Sequence, residues 1–363
     1  MHDTTVRLLS ILLVFVTTAQ LYFWLYSFGK LNKAKVLAPI VSGPAVSVII
    51  CARNAAAHLR SNLPHILGQA YRRFEVIVVD DNSTDETPSL LLDLCKTYPH
   101  LRIEKTPKGL SGKKAALVHG VKVASYDLIA LTDADCKPAS DQWLAHMMAP
   151  IFTGYSVSLG VGPFFQQPGF INAFSRFEAG LTYFHYGSSA VSRAPLMGVG
   201  RNMVLSTEIF TRFKEKKNPY ISGDDDLLIN SLTASHKIWL VHSKSAYMYS
   251  HSTNKISAFL KQKRRHVSVS WHYKWQDKIL LLLYAGSQWL HYLIIILLAM
   301  QGHIGIAIVC YLCRQVVVLY RSYQLMPSID GRELPWIPAL DAAFILYYPI
   351  VGIFLCLKTP QKW

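Results

Sequence analysis

The sequence predicts an α/β domain built on a doubly wound sheet and held at a membrane by apolar helices. Three observations support this prediction. Only 16% of the 363 residues are charged, whereas a soluble domain has about 25%. The apolar residues concentrate in two terminal regions, and strand-like and helix-like segments alternate between those regions. This composition excludes an intrinsically disordered chain and disfavours an ordinary soluble enzyme.

The first apolar segment covers residues 8–28 and contains no Asp, Glu, Lys, Arg or His. As a helix, a segment of this length extends for about 30 Å, which matches the hydrocarbon core of a bilayer. It is longer than the apolar core of a cleaved signal peptide. We therefore predict a retained transmembrane helix at the N-terminal end.

The C-terminal region contains two further apolar segments, residues 279–300 and 304–320. A third, residues 339–357, includes an aspartate, a proline and a glycine. Such a segment could span, bend within or re-enter the membrane. The prediction is one N-terminal and two to three C-terminal transmembrane helices.

The formal net charge is +15, from 37 basic and 22 acidic residues, and most of the excess lies in residues 30–278. Basic residues flank the apolar segments on this side, so the positive-inside rule places residues 30–278 in the cytoplasm, at the inner membrane if the cell is bacterial. The predicted domains are 1–29, 30–278 and 279–363. The sequence has no zinc-finger or RNA-recognition motif. We therefore expect no nucleic acid partner and assign the charge to a membrane surface and an anionic small-molecule substrate.

The middle region begins with alternating strand and helix patterns. The predicted strands cover residues 46–50, 74–80, 101–103 and 126–132, and the predicted helices cover 56–69, 85–98 and 111–124. Ser83 and Thr84 are the expected caps of the second helix. Sheets of this type bind ligands at the carboxyl ends of their strands. The residues that follow the strands are therefore the first candidates for a functional site.

The second half of the middle region is less regular. Residues 170–186 are rich in aromatic side chains, which suits either a helix at the membrane interface or a helix in the core. Ser206 is expected to cap a helix, and residues 238–241 and 246–249 are expected to form strands. Residues 257–269 predict a basic amphipathic helix that leads to the membrane.

Acidic residues cluster at Asp80 and Asp81, at Asp133 and Asp135, and at residues 224–226. Two such clusters at adjacent strand ends would repel each other unless a cation or a hydrogen-bond donor lies between them. Mg²⁺ or Mn²⁺ fits, because these ions bind one or two carboxylates together with phosphate oxygens. The sequence therefore predicts a magnesium or manganese site that holds a diphosphate.

Lys113 lies in the segment GLSGKK, at a predicted helix start where backbone N–H groups favour anions. A solvated surface lysine would fit the same position. The segment lacks the four-residue spacer and the Ser or Thr of a P-loop. ATP hydrolysis is therefore not expected.

Six motifs taken in order resemble those of an inverting family 2 glycosyltransferase with a GT-A domain. They are VSVIICARN, VIVVDDNSTD, GKKAALVHG, LIALTDADC, SGDDDLL and QKRRH. The likeness extends over nearly all of residues 30–278. The flanking helices and the QKRRH element are similar to the branch that includes ceramide glucosyltransferase and the hyaluronan, chitin and cellulose synthases. The resemblance implies a Rossmann-like mixed sheet of the GT-A type.

For the donor site, the resemblance implies roles for residues that match the motifs of the family. Asp81 would accept a hydrogen bond from uracil, and Lys113 would contact the nucleotide. Asp133 and Asp135 would form the DxD motif, with Asp135 on the metal ion that bridges the diphosphate. The end of the first strand would complete the nucleotide-sugar site through Ala52, Arg53 and Asn54.

For the catalytic base, the resemblance implies Asp225, with Asp224 in the position of a preceding glutamate. A register shifted by one residue would make Asp224 the base. The acceptor hydroxyl must lose a proton as the nucleoside diphosphate leaves, and a carboxylate can accept it. Attack opposite the leaving group would invert the anomeric centre.

The last motifs concern the leaving group and the acceptor. Gln262 and Arg265 resemble a Q-x-x-R-W element whose arginine meets the diphosphate. His266 stands where that element has tryptophan, which changes the group available for stacking on an acceptor. Gly200 and Asn202 resemble a G-x-N element near the acceptor pocket.

Together these features predict a membrane-bound, metal-dependent hexosyltransferase that uses a UDP-sugar and a lipid or lipid-linked acceptor. A processive polysaccharide synthase with the same site is an alternative, and it would need more membrane helices or a channel-forming partner protein. A non-catalytic nucleotide-binding membrane protein is a second alternative. The three intact acidic motifs argue against it, because a fold does not by itself require them.

Overall fold

The structure is a computed structural model that describes residues 2–215, 224–232, 235–327, 329 and 331–356. The chain divides into two compact units. The sheet unit comprises residues 34–165 and 189–252, and the helical unit comprises the described parts of residues 1–33, 166–188 and 253–360. The middle domain predicted from the sequence, 30–278, is thus larger than the sheet unit. Residues 166–188 and 253–278 group with the apolar helices.

The strands and helices are numbered in chain order. The strands are β1 (Val46–Ala52), β2 (Phe74–Asp80), β3 (Leu101–Lys105), β4 (Leu128–Asp133), β5 (Lys137–Pro138), β6 (Val157–Leu159), β7 (Met203–Ser206), β8 (Ile238–Leu240) and β9 (Met248–Tyr249). The helices of the first half are α1 (His2–Tyr22), α2 (Ala56–Leu67), α3 (Thr87–Thr97), α4 (Lys113–Lys122), α5 (Trp143–Phe152) and α6 (Phe170–Val191). Those of the second half are α7 (Thr207–Glu215), α8 (Asp224–Ser231), α9 (Ile256–Ser270), α10 (Trp275–Met300), α11 (Ile304–Leu325), α12 (Ile337–Ala342) and α13 (Phe344–Cys356).

The main sheet of the described residues has seven strands in the order β3-β2-β1-β4-β7-β6-β8. Strands β1 to β4 pair in parallel, as the apolar runs of β1, β2 and β4 predict. Strand β7 is antiparallel to both β4 and β6, which makes the sheet mixed. The sequence pattern did not reveal β7, because a strand of four residues gives too little alternation.

The register of the central strands determines where the functional residues lie. In β1, Ala52 pairs with Asp80 of β2, and Cys51 pairs with Asp133 of β4. Val48 and Ile50 of β1 are completely buried, as expected for a parallel sheet covered on both faces. The carboxyl ends of β1, β2 and β4 therefore meet at one edge of the sheet.

The helix caps agree only in part with the sequence. Helix α3 begins at Thr87, and its backbone N–H donates to Asp85 Oδ1 at 3.0 Å. The expected caps, Ser83 and Thr84, instead bond to Asn54 in the loop after β1. The prediction that Ser83 and Thr84 cap α3 was wrong, because both residues form hydrogen bonds with Asn54 instead. Ser206 does cap α7, since its Oγ accepts the N–H of Ile209 at 3.2 Å.

Helix α6 carries the aromatic residues of the 170–186 segment. Phe170 is 61% exposed, whereas the other five Phe and Tyr residues of this segment are buried. Phe174 and Phe177 pack on Phe344 of α13. The structure therefore favours the core helix over the interfacial one.

The helical unit contains the apolar segments. Thr4–Lys33, Trp275–Met300 and Ile304–Leu325 are long and apolar enough to cross a membrane. Leu334–Ala342 and Phe344–Leu355 form two apolar helical segments with a bend of 44° between them, which fits the bent alternative for 339–357, although residue 357 lies outside the described residues. The described helices thus offer three candidate spans, or four if the bent pair counts as one.

A buried polar network joins the helices of this unit. Arg314 of α11 forms an ion pair with Asp341 of α12, and both side chains are completely buried. Gln20 of α1 accepts from Arg314 Nε at 3.1 Å, and Gln288 of α10 donates to Asp341 Oδ1 at 2.7 Å. Tyr292 of α10 also donates to Asp341, at 2.5 Å. Helices α1 and α10 therefore each contribute at least one hydrogen bond to the Arg314–Asp341 pair.

Removing one partner of this ion pair is expected to destabilise the helical unit. Asp341→Asn or Arg314→Gln should lower the free energy of unfolding by about 3–5 kcal/mol, because the remaining charge is buried without its counter-ion. The double variant should lose less than the sum of the two single losses. Thermal unfolding of the full chain in detergent micelles measures these changes.

Glu208→Gln serves as the control, because it removes an exposed ion pair with Arg212 at 2.6 Å. This substitution should change the free energy of unfolding by less than about 1 kcal/mol. Strictly additive losses at positions 314 and 341 would contradict the assignment of a coupled pair.

Candidate active site

The carboxylate of Asp81 lies at the carboxyl end of β2, in the loop that follows this strand. The residue is 1% exposed, and its backbone N–H donates to the carbonyl of Ala52 at 2.8 Å. Its Oδ2 accepts the N–H of Gly112 at 2.8 Å and lies 3.5 Å from Arg53 Nη1. Its Oδ1 is buried and has no hydrogen-bond partner among the described residues. A buried carboxylate oxygen is thus left free to accept a hydrogen bond.

Two asparagines shape the loops around Asp81. Asn54 and Asn82 adopt left-handed backbone conformations, with φ values of 49° and 56°. Asparagine tolerates this conformation better than most residues. Asn54 Oδ1 accepts the N–H of Thr84 at 2.8 Å and so ties the loop after β1 to the loop after β2. The side chains of Arg53 and Asn54 are exposed, whereas Ala52 is buried at the strand end.

The second acidic cluster follows β4. Ligand atoms of Asp133, Asp135 and Cys136 all lie within 4.8 Å of one another. Lys113, at the start of α4, forms an ion pair with Asp133. Desolvation lowers the pKa of Lys113, but the charge and hydrogen bond of Asp133 outweigh this effect and raise the pKa above its usual value. Lys113 therefore remains a cation beside the cluster.

The donor set of this cluster fits a hard divalent cation. Asp133 and Asp135 are half-buried and offer carboxylate oxygens. Cys136 is completely buried, and burial together with the charges of Asp135 and Asp133 raises the pKa of its thiol. Mg²⁺ and Mn²⁺ prefer oxygen ligands. Asp135 and Asp133 are thus the residues that would hold such an ion, and this donor set suits both metals.

The third acidic cluster lies in the first turn of α8. Asp225 Oδ2 accepts the N–H of Gly200 at 2.7 Å, and Asp226 Oδ1 accepts the N–H of Gly198 at 3.1 Å. The negative charge of Asp225 acts on Lys113, as that of Asp133 does. The charge of Asp225 thus acts on the same lysine that pairs with Asp133. The side chain of Asp224 lies outside the described residues.

Asn202 has a structural role in place of the expected contact with an acceptor. Its side chain is completely buried. Its Oδ1 accepts from Trp143 Nε1 at 2.8 Å, and its Nδ2 donates to the carbonyls of Val161 and Ala246 at 2.9 Å each. Since all of its polar atoms are engaged within the sheet unit, the expectation for Asn202 was wrong.

Sequence reasoning missed Arg201, which lies between Gly200 and Asn202. Its guanidinium donates to the carbonyl of Gly162 and lies 5.1 Å from the ring centroid of Phe164. Its charge also acts on the thiol of Cys136, next to Asp135. Arg201 is thus a cation whose charge acts on the residue next to Asp135. Its place inside the G-x-N element was the one available signal in the sequence.

The QKRRH element lies in the helical unit, on α9. Gln262 is half-buried, and Arg265 and His266 are exposed. Lys263 is instead buried and forms an ion pair with Glu178 of α6. The basic amphipathic helix predicted at 257–269 is confirmed as Ile256–Ser270, and one of its basic residues faces the interior of the unit.

Comparison with known proteins identifies the domain that carries most of these residues. Residues 47–213 match the family model described as Glycosyl transferase family 2. They form a family 2 glycosyltransferase domain. This glycosyltransferase domain contains Asp81, Lys113, Asp133 and Asp135, and it ends before Asp225.

Curated relatives match only part of the chain. Beta-monoglucosyldiacylglycerol synthase of Nostoc sp. is 34% identical over 112 residues, which are 30% of this chain and 24% of that protein. Glycosyltransferase AglE of Haloferax volcanii is 33% identical over 118 residues, which are 32% of this chain and 38% of that protein. The chain thus spans about a quarter to two fifths of the length of these relatives.

A solved structure matches nearly the whole chain. Mannosyltransferase PcManGT from Pyrobaculum calidifontis, in complex with GDP-Man and Mn²⁺, superposes with a TM-score of 0.64 at 16% identity. The match covers 96% of this chain and 98% of that chain. Together with the family match, it confirms the expected mixed α/β sheet of the GT-A type for the glycosyltransferase domain.

The donor set predicts different effects of two substitutions on metal binding. Asp135→Asn replaces a charged carboxylate ligand by a neutral amide and should weaken Mn²⁺ binding by about 100-fold or more, since even outer-shell changes cost 10–100-fold. Cys136→Ser should leave Mn²⁺ binding nearly unchanged, because a buried thiol is a poor ligand for a hard cation. Titration of Mn²⁺ by electron paramagnetic resonance, with UDP present, measures both. Equal losses in the two variants would contradict this assignment.

Proposed function

We propose that the protein is a membrane-bound, inverting glycosyltransferase that moves a sugar from a UDP-sugar to a lipid or lipid-linked acceptor. One observation carries this proposal. Lys113 pairs with Asp133, the charge of Asp225 also acts on Lys113, and Gly112 next to this lysine bonds to Asp81, which supports one site that combines a diphosphate, a carboxylate base and the free oxygen of Asp81. The family 2 domain supports transfer of a sugar as the reaction.

The free oxygen of Asp81 supports uracil as the base. An ionised carboxylate oxygen can only accept hydrogen bonds, so its partner must be a donor. The pairing edge of uracil offers one N–H donor between two carbonyls. Cytosine has an acceptor at that position, and guanine has two adjacent donors. Since Gly112 already occupies Asp81 Oδ2, one acceptor position remains, which matches uracil best.

The diphosphate would lie against Asp133, Asp135 and Lys113. A bound Mg²⁺ or Mn²⁺ would neutralise charge on the leaving diphosphate. Lys113 stays positive and would stabilise the charge that grows there, and Arg265 of the QKRRH element is proposed to add to this effect. Gln262 is proposed to support Arg265. The Mn²⁺ ion in the PcManGT complex supports a metal ion in this role.

Asp225 is proposed to act as the general base. Its Oδ2 is held by Gly200, and Oδ1 has no hydrogen-bond partner among the described residues. Oδ1 would take the proton of the acceptor hydroxyl as the oxygen attacks the anomeric carbon. Attack opposite the diphosphate would convert an α-linked donor to a β-linked product. The hydrogen bond from Gly200 supports Asp225 in this role.

A lipid acceptor is supported by the helical unit and by the names of the relatives. The described residues contain three candidate spans, and beta-monoglucosyldiacylglycerol synthase is named for a glycolipid product. His266, which is exposed on α9, is proposed to meet the acceptor. We favour transfer of a single sugar over processive synthesis, because the described spans are few for a translocation channel. Product length distinguishes the two reactions.

Loss of the base should abolish turnover without loss of folding. Asp225→Asn should lower kcat by about 10²–10⁴-fold, the usual range for removal of a general base. Asp127→Asn is the matched control, because Asp127 is exposed near the opposite end of β4 from Asp133. UDP release by the full chain in diacylglycerol-containing vesicles, with Mn²⁺ and a panel of UDP-sugars, measures turnover. Near-normal turnover of Asp225→Asn would overturn this assignment.

The preference among nucleobases should change when Asp81 is replaced by asparagine. The amide oxygen of Asp81→Asn can keep the bond to Gly112, so its NH₂ group would occupy the place of Oδ1. Two donors would then oppose each other in the UDP complex, which should weaken UDP binding by about 10–100-fold. CDP binding should improve relative to UDP. Calorimetric titration with UDP, CDP and GDP tests this, and an unchanged order of affinities would contradict it.

A further inference from the structure

We propose that Gly200 is a positioning residue that fixes the carboxylate of Asp225. This inference rests on the proposed function, in which Asp225 is the base. It replaces the expectation that Gly200 contacts the acceptor. The evidence is a short backbone hydrogen bond, the absence of space for a side chain at Gly200, and a rigid anchor two residues later.

The hydrogen bond comes from the backbone of a residue close to the base. Gly200 N–H donates to Asp225 Oδ2 at 2.7 Å. Hydrogen bonds between an N–H group and a carboxylate are short and strong. Because Oδ2 is held, the remaining oxygen, Oδ1, has a defined direction. That direction determines whether a proton can be taken from a bound hydroxyl.

The contact requires glycine. A Cβ atom at position 200 would lie 2.7 Å from Asp225 Oδ2 and 2.9 Å from its Cγ. Real Cβ atoms do not approach other atoms so closely. An alanine would therefore push the carboxylate away from its present position.

The turn that presents Gly200 is anchored by Asn202. The backbone N–H of Asn202 donates to the carbonyl of Val199 at 2.9 Å, and its own carbonyl accepts from Gly160 at 2.8 Å. The side chain of Asn202 makes three further bonds within the sheet unit. Asn202 thus holds the turn in place, which explains why a buried asparagine follows Gly200.

A second glycine makes the same kind of contact with the next acid. Gly198 N–H donates to Asp226 Oδ1 at 3.1 Å. A Cβ atom there would lie 2.9 Å from the backbone oxygen of Asp225. The segment 198–200 therefore lies flat against the first turn of α8 and holds two consecutive aspartates. Of these two hydrogen bonds, the one from Gly200 reaches the carboxylate of the proposed base.

The test compares Gly200→Ala with Val199→Ala in the full chain. Gly200→Ala adds one methyl group and Val199→Ala removes two methyl groups in the same turn, but only Gly200→Ala displaces Asp225. Turnover is measured with the UDP-sugar and acceptor that give the highest rate for the unmodified protein. Gly200→Ala should lower kcat by about 100-fold, as expected for a misplacement near 1 Å. KM for both substrates and UDP binding should stay nearly unchanged, and Val199→Ala should retain most of kcat.

A double-mutant cycle separates positioning from a general structural effect. If Gly200 acts through Asp225, adding Gly200→Ala to Asp225→Asn should cost little further rate. An equal loss in both backgrounds would overturn the proposal. A higher KM for the acceptor with unchanged kcat would also overturn it and restore the acceptor contact. Thermal unfolding shows whether Gly200→Ala retains the fold. If its stability falls, the comparison of the rate loss with and without Asp225→Asn still separates positioning from a general structural effect.

Failure of this inference can be told apart from failure of the proposed function. If Asp225→Asn keeps normal turnover, or no UDP-sugar is used, the proposed function fails. If Asp225→Asn is inactive and Gly200→Ala is normal, only the role of Gly200 fails.

Discussion

The N-terminal end of α4 supplies the hydrogen-bond donor and the positive charge that the acidic residues of the site require. Gly112 donates its N–H to Asp81, and Lys113, the next residue, pairs with Asp133. Strand β1 lies between β2 and β4, so these two carboxylates reach the same edge of the sheet. Like charges there would repel each other without a donor or a cation. One helix start thus allows a parallel sheet to carry acidic residues at two strand ends.

The parts of the fold that the sequence predicted are those governed by local pattern. Strand β2 was predicted at 74–80 and lies at Phe74–Asp80, because a buried parallel strand is a continuous apolar run. The caps of α3 were not predicted, because Ser83 and Thr84 bond to Asn54, about thirty residues earlier. A contact over that distance leaves no trace in the local pattern.

The same division applies to the site. The acidic residues were predicted because their position after strands places them at one edge. Asn202 was assigned wrongly, because its partners Trp143 and Ala246 lie more than forty residues away on either side. In the helical unit, Asp341 seemed only to interrupt an apolar segment, and its partner Arg314 lies in a different helix. A polar residue in a motif therefore does not reveal whether it faces a ligand or the core.

Burial separates the carboxylates of the site into two kinds. Asp81 is 1% exposed, whereas the side chain of Asp133 is 29% exposed. A partly exposed carboxylate can exchange its partners with water at little cost. A buried oxygen without a partner costs about 1–3 kcal/mol, and a ligand N–H that reaches it removes this cost. In the proposed function, nucleotide binding at the free oxygen of Asp81 would therefore stabilise the sheet edge, whereas the partly exposed carboxylate of Asp133 would remain able to change partners during the reaction.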